Sequence, residues 1–339
     1  MSRRSVDRLD EDDVRVRPGR SKTRPRSKDR PDHTGAVAAT VTTVDRGRFT
    51  VIDAEGGEHY AVKARELGRK GIVVGDVVDV VGMSSETTTE RAEREDFARI
   101  VRRCPRTTTL RRTADDTDPV ERVIVANADQ LAVVTSVTDP EPRTGLIDRA
   151  LVAAFDAGIE PILLITKSDL APATALIKAY SPLEIPIIDA SRNRAEHDTS
   201  AVVNILHDHT TVLIGHSGVG KSTLVNSLVP GAARTTGGVN VVTGKGRHTS
   251  TNVLALPLPG GGIIIDTPGI RSFGLAHVDA DRVIHAFPDL REVAEQCPRG
   301  CSHNEAYCEL DAAVSRGDIP PARLQSLRRL LSSKEEPGY

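Results

Sequence analysis

Two short segments of this chain have the residue types and spacing to hold a nucleotide. Gly215-His216-Ser217-Gly218-Val219-Gly220-Lys221-Ser222 has the form G-x-x-x-x-G-K-[S/T]. Such glycine-rich backbone turns its amides toward phosphates, at a helix N-terminus that already favours anions. Lys221 brings a cation to the β- and γ-phosphates and Ser222 a hydroxyl to Mg2+, with Thr223 following on the same turn. Thr166-Lys167-Ser168-Asp169 has the form [N/T]-K-x-D. A carboxylate at Asp169 can accept from the N1–H and N2 amino groups of guanine, donors that adenine lacks. The stem of Lys167 packs on the ring. Base recognition ordinarily follows the phosphate loop, and here it precedes it. The order reads as a circularly permuted nucleotide domain, which a fold tolerates when its original termini meet at the surface.

Further segments fit the same site. Asp266-Thr267-Pro268-Gly269 reads as D-x-x-G, with Asp266 acting on the metal through its second shell and the Gly269 amide sensing the γ-phosphate. Asp189-Ala190-Ser191 resembles the loop whose backbone N–H meets guanine O6. The polar segment 244–251, G-K-G-R-H-T-S-T, lies where a switch loop must be. Either Thr249 or Thr251 is expected on Mg2+ there, and Thr249 is the assignment made. Ile270 follows D-x-x-G where a water-orienting Gln is usual. Either hydrolysis is slow or another group replaces that Gln. His248 is the candidate, being polar and in a loop able to close on the phosphate; a surface histidine without a role is the bland alternative.

Cys297, Cys301, His303 and Cys308 offer three thiolates and one imidazole within one short segment. That donor set suits structural Zn2+ with no open position. A reduced cluster without metal is the alternative. Cys104 stands alone and reads as an ordinary thiol.

These motifs need a scaffold. The apolar runs 131–137, 162–166, 186–189, 211–214 and 262–266 read as strands buried on both faces, and 147–157 has helical spacing. They predict a doubly wound, mostly parallel α/β sheet, with Thr166, Asp189, Gly215 and Asp266 at the carboxyl ends of strands, where such folds bind ligands. Ahead of it, five Val-, Ile- and Thr-rich runs (37–44, 48–52, 59–62, 76–81 and 98–102) predict a small β-barrel, either an OB-fold or another five-stranded type. Segment 320–334 reads as a helix with Leu324, Leu327, Leu330 and Leu331 on one face and Arg323, Arg328 and Arg329 on the rest. The expected divisions are a charged tail at 1–34, a barrel at 35–106, a permuted nucleotide domain at 107–283 and a helical zinc-binding domain at 284–339.

Composition narrows the classes. Of 339 residues, 38% are hydrophobic and 27% charged, as in soluble globular proteins. Aromatics are 3% with no Trp, which disfavours an RNA site built on stacked aromatics. No apolar run is long enough for a membrane span and no secretory leader is visible, so a cytoplasmic monomer without membrane partner is expected. The tail is basic from Arg15 to Arg30, either a solvated segment or an arm for RNA phosphates.

In order along the chain stand A-N-A-D-Q (126–130), Asp148-Arg149, T-K-S-D, G-H-S-G-V-G-K-S, G-R-H-T-S-T, D-T-P-G and the Cys/His cluster. This series resembles the ribosome small-subunit-dependent GTPase A family. The resemblance implies an OB-fold, a permuted GTPase and a zinc domain. It implies GTP hydrolysis to GDP stimulated by the small (30S) ribosomal subunit, contact with its rRNA and a role in its late maturation. It also implies that His248 replaces the missing Gln and that Cys297, Cys301, His303 and Cys308 hold zinc. Thr166 departs from the family's usual Asn, and both longer zinc-site spacings are one residue shorter than its commonest pattern. The rival readings are an RNA-binding module using GTP only as a ligand switch, and an ATP-dependent P-loop enzyme, which Asp169 opposes.

Overall fold

The computed structural model of the chain describes residues 33–68, 71–83, 97–113, 121–191, 199–230, 253–268, 275, 278, 280–305 and 307–335. Residues 1–32 of the tail and the loop 84–96 lie outside them.

Strands β1 (Val37–Asp45), β2 (Arg48–Asp53), β3 (Glu58–Lys63), β4 (Val77–Val81) and β5 (Ala98–Arg103) form the barrel. β1 pairs with both β2 and β4, β3 runs parallel to β5, and β4 pairs with β5, so the sheet closes in the order 1-2-3-5-4. Alternate residues point inward, as a strand period of two demands. Ala39 and Val41, Phe49 and Val51, Val78 and Val80, and Ala98 and Ile100 fill the interior. The register slips at Val41/Thr43 and at Asp79/Val80, and such bulges bend strands toward closure. This is the OB-type barrel.

A two-stranded ribbon follows, β6 (Thr109–Arg112) with β7 (Arg122–Ala126), which the sequence pattern did not reveal. It is stitched to the barrel at Gly75. A Cβ there would lie 2.0 Å from the Ala126 carbonyl oxygen, so only glycine permits the approach. Asn127 Nδ2 donates to the Gly75 carbonyl at 2.8 Å.

The second sheet contains β8 (Gln130–Ser136), β9 (Glu160–Thr166), β10 (Ile187–Asp189), β11 (Thr210–Ile214), β12 (Leu254–Pro257) and β13 (Ile263–Asp266). Their spatial order is β10-β9-β8-β11-β13-β12, all parallel except β12. Between them run α1 (Thr144–Ala157), α2 (Thr174–Tyr180), α3 (Ser200–Leu206) and α4 (Lys221–Leu228). Leu131, Val133, Leu163 and Ile165 pack beneath α1, while Ala132, Val134, Ile162 and Leu164 pack against α3 and α4. Both faces are covered, which is why these strands read as unbroken apolar runs. A bridge between Thr43 and Leu254 joins the barrel to this sheet through β1 and β12.

The chain ends in α5 (Ala280–Ile284), α6 (Pro288–Ala294), α7 (Glu309–Arg316) and α8 (Pro321–Glu335), on the α1 face. In α8, Leu324, Leu327 and Leu330 are buried, as the pattern predicts. The arginines are not simply its polar side: Arg323 is only 4% exposed. Its guanidinium holds Asp289 through two contacts of 3.0 Å, donates to the Pro182 carbonyl at 2.7 Å and stacks over Phe287. A buried guanidinium is tolerated when its donors are met.

Candidate functional site

The connections from β8 run outward to β9 and β10, whereas β11 connects to β13 on its other side. The crevice outside the carboxyl ends of β8 and β11 is therefore the switch point, where folds of this kind bind their ligands. The phosphate-loop sequence leaves β11 there. Gly215 passes so close to β8 that a Cβ would sit 2.6 Å from the Val134 carbonyl oxygen. Gly218 (φ 87°) and Gly220 (φ 92°) take left-handed turns that put Lys221 at the first position of α4. Val219 packs inward, His216 Nδ1 donates to the Ser217 carbonyl at 2.8 Å, and Ser217, Ser222 and Thr223 are exposed on the loop and first turn.

The base-recognition tetrapeptide leaves β9, two strands away, and meets this loop directly. The Thr166 hydroxyl lies 2.5 Å from the Val219 carbonyl oxygen and 3.2 Å from that of Thr135. Thr166 thus makes a buried contact from the position where Asn is usual. Lys167, at φ 59°, turns back over the β8–α1 connection and its Nζ donates to the Asp139 carbonyl. The Ser168 hydroxyl donates to Asp189 at 2.5 Å, the Ser191 amide donates to Asp189 at 3.0 Å, and the Ser168 amide donates to Ser191 Oγ at 2.7 Å. The two base loops are one hydrogen-bonded unit. The Ala190 amide donates to the Ile165 carbonyl at 2.6 Å, tying this loop to the end of β9. Asp169 lies exposed at the rim, and a cavity of about 460 Å3 lined by Ser168, Asp189, Ile165 and Ile187 opens beside the unit.

At the other end, Lys221 is 8% exposed and its Nζ donates to the Asp266 carboxylate and the Thr267 carbonyl. The Thr267 hydroxyl donates to the Leu213 carbonyl at 2.7 Å, locking β13 to β11. A cation suited to phosphate and a carboxylate suited to a hydrated metal therefore stand side by side. His248, Thr249, Thr251, Gly269 and Ile270 lie outside the described residues.

The side chains of Cys297, Cys301, His303 and Cys308 converge, with all four ligand atoms within 4.8 Å of one another. Cys297 Sγ is 3.8 Å from Cys308 Sγ and 3.8 Å from His303 Nδ1, and Cys308 Sγ is 3.9 Å from His303 Nδ1. A tetrahedral ion with bonds of about 2.3 Å to sulfur needs S···S edges of about 3.8 Å. The cluster fits a tetrahedral metal. Burial raises the Cys308 thiol and pushes that of Cys301 up to about 12. Thiolates here need a neighbouring cation, which a bound metal supplies. Glu305 accepts from the Ser302 amide at 3.0 and 3.1 Å and from the Cys301 thiol at 3.2 Å, which lowers its carboxyl to about 2. Arg328 anchors the loop from α8, donating to the His303 carbonyl at 2.8 Å and bidentately to Asp311 at 2.9 and 2.7 Å.

A family model described as the RsgA GTPase matches residues 103–276. The chain belongs to the RsgA GTPase family. A relative named "Small ribosomal subunit biogenesis GTPase RsgA" from Pseudomonas aeruginosa (strain LESB58) is 40% identical over 258 residues, covering 74% of this chain and 75% of its own. One of the same name from Pseudomonas syringae pv. syringae (strain B728a) is 35% identical over 296 residues, covering 83% and 85%. Among solved structures, YjeQ from Thermotoga maritima superposes with a TM-score of 0.63 at 25% identity, over 88% of this chain and 99% of that one. YloQ, titled a circularly permuted GTPase, matches in fold with a TM-score of 0.63 at 24% identity over 91% and 98%.

Membership in the RsgA family makes the chain an enzyme that hydrolyses GTP, within a circularly permuted GTPase fold. That decides against GTP as a mere ligand. One residue beside these loops was invisible to motif reading: Asp139 acts through its backbone carbonyl, which no side-chain pattern marks. Glu305 did have a signal: Ser302-x-x-Glu305 is the capping-box spacing, in which the acid reaches back to the serine amide.

Proposed function

We propose that this GTPase acts in maturation of the small ribosomal subunit, binding the subunit and its rRNA in the GTP state and leaving after hydrolysis. The observation that carries this reading is the alignment, over three-quarters of the chain, with proteins named for biogenesis of that subunit. The fold supports it by setting T-K-S-D and the phosphate loop in contact.

In this reading Asp169 accepts from guanine N1–H and N2, and Lys167 lies along the ring. Ser168, Asp189 and Ala190 shape the base loop, with Thr166 holding it to the phosphate loop. Residues 215–220 turn amides to the phosphates, and Lys221 moves from Asp266 to the β- and γ-phosphates. Ser222 and Thr249 would hold Mg2+, with Asp266 acting on it through an intervening water, to offset charge on the phosphates, and Gly269 contacts the γ-phosphate. His248 orients a water. Its oxygen bonds to the γ-phosphorus as the bridging P–O bond breaks, GDP leaves with the electron pair, and a water proton passes to the released phosphate. Removing one such orienting group ordinarily costs about 10²–10⁴ in rate. The Cys297, Cys301, His303 and Cys308 set holds structural Zn2+, which orders a polar loop otherwise short of a core.

The test is co-sedimentation of the full chain with purified small and large subunits. Retention on small subunits with a non-hydrolysable GTP analogue, release with GDP and no retention on large subunits is expected. Equal retention in every state would remove the switch, and none at all would remove the partner.

A further inference from the structure

Among the described residues of this aromatic-poor chain, one aromatic side chain stands out in solvent. Tyr307 is 69% exposed, and the other described Phe and Tyr residues are buried or half-buried. It directly precedes Cys308, so it is presented by the Cys/His loop itself. Arg299 and Asn304 are also exposed and each lies within two residues of a cluster side chain. The side chains of these three residues make no hydrogen bond or ion pair with another described residue, whereas Arg316, Arg323, Arg328 and Arg329 all face carboxylates. The loop is nonetheless held firmly, by the convergence of the four ligand side chains and by Arg328 on the His303 carbonyl.

We infer that Tyr307 is a stacking contact for an unpaired RNA base, with Asn304 placed for a base edge and Arg299 for a phosphate. A flat face, an amide and a guanidinium on a rigid loop are what recognition of single-stranded RNA uses. A protein partner is less suited. An interface anchor needs a desolvated apolar pocket and collar, and among the described residues the other exposed large apolar side chains, Val37, Leu170 and Ile177, lie on the barrel and around α2. The low aromatic content excludes a platform of several stacked bases, and one base needs one ring. This inference rests on the reading that the chain binds small ribosomal subunits.

The test measures affinity of the full chain for purified small subunits, with a GTP analogue, for wild type and for Tyr307→Ala, Tyr307→Phe, Tyr307→Leu and Arg299→Ala. Zinc content and subunit-free GTP hydrolysis should stay at wild-type levels in all four. Tyr307→Ala and Tyr307→Leu are expected to lose roughly 5- to 100-fold in affinity, and Tyr307→Phe to stay within about twofold. Arg299→Ala should reduce the slope of log K against log salt by about 0.7. In subunits carrying 4-thiouridine, the peptide with Tyr307 should crosslink to RNA. Wild-type affinity in Tyr307→Ala, full rescue by Leu, or absence of the Tyr307 peptide from the RNA crosslinks would each overturn the inference alone. Failure of the wild-type chain to bind subunits would overturn it together with the proposed function.

Discussion

The hydroxyl of Thr166 meets the carbonyl oxygen of Val219 at 2.5 Å, although 53 residues separate them. The first belongs to the T-K-S-D segment and the second to the G-x-x-x-x-G-K-S loop, so this contact joins the two segments proposed to hold one nucleotide, in a chain that writes them in reverse order. Thr166→Val keeps the β-branched shape at a strand end and removes the donor, leaving a buried carbonyl short of a partner. A loss of about 1–2 kcal/mol in stability is expected. The dissociation constants for GDP and GTP should rise about five- to tenfold, read by titration with a fluorescent GDP. Thr166→Asn, which restores a donor, should stay close to wild type.

Asp169 tests base choice. Asp169→Asn replaces two acceptors by one acceptor and one donor, which mismatches guanine and matches a purine with a carbonyl at C2. GTP affinity should fall by about a hundredfold or more, and xanthosine triphosphate should become the better ligand. Competition binding with GTP, ATP and XTP measures this, and unchanged preference for GTP would remove Asp169 from the base site.

The Cys/His cluster makes a separate prediction about protons. Burial raises Cys301 and Cys308, so both thiols are protonated at neutral pH without metal and must lose protons to bind it. Zinc uptake at pH 7 should release a proton from each of these two thiols, and affinity should fall as pH falls. Calorimetry in buffers of different ionisation enthalpy reads the number. Cys301→Ser should lose the metal and expose 297–308 to protease.

Much of this architecture was legible because burial writes itself into sequence. β8 and β9 are covered on both faces and appear as unbroken apolar runs, and the Ala39/Val41 and Phe49/Val51 alternation marks the barrel wall. The ribbon of β6 and β7 was not legible. Its strands are only four and five residues long, with Arg111, Arg112 and Arg122 interrupting the apolar residues and no alternation along either strand. Arg323 misled for a related reason: a guanidinium counts as polar in any pattern, yet here it is buried with its donors met by Asp289 and Pro182.

Arg323 and Asp289 contribute to the acid sensitivity of the C-terminal helices. Partial burial pushes the Asp289 carboxyl up, but hydrogen bonds and charge from Arg323 outweigh it and hold it below the ordinary 3.8. A depressed carboxyl contributes stability above its unfolded value and loses it as pH falls through the folded one. Asp289→Asn should therefore lower the melting temperature at pH 7 and have no effect once pH is below the folded value, under 3.8. Arg323→Ala, which also strips the Pro182 carbonyl and the face of Phe287, should cost about 2–3 kcal/mol at pH 7 in denaturant titration.

The central claim is that the small subunit completes the catalytic arrangement of a permuted GTPase in which His248 orients the water. Single-turnover hydrolysis of GTP by the full chain, with and without purified small subunits, tests it most directly. The account predicts a rate raised at least about tenfold by subunits, and a His248→Ala variant that binds GTP normally but loses about 10²-fold or more of the stimulated rate. A rate indifferent to subunits, or a His248→Ala variant as fast as wild type, would contradict it.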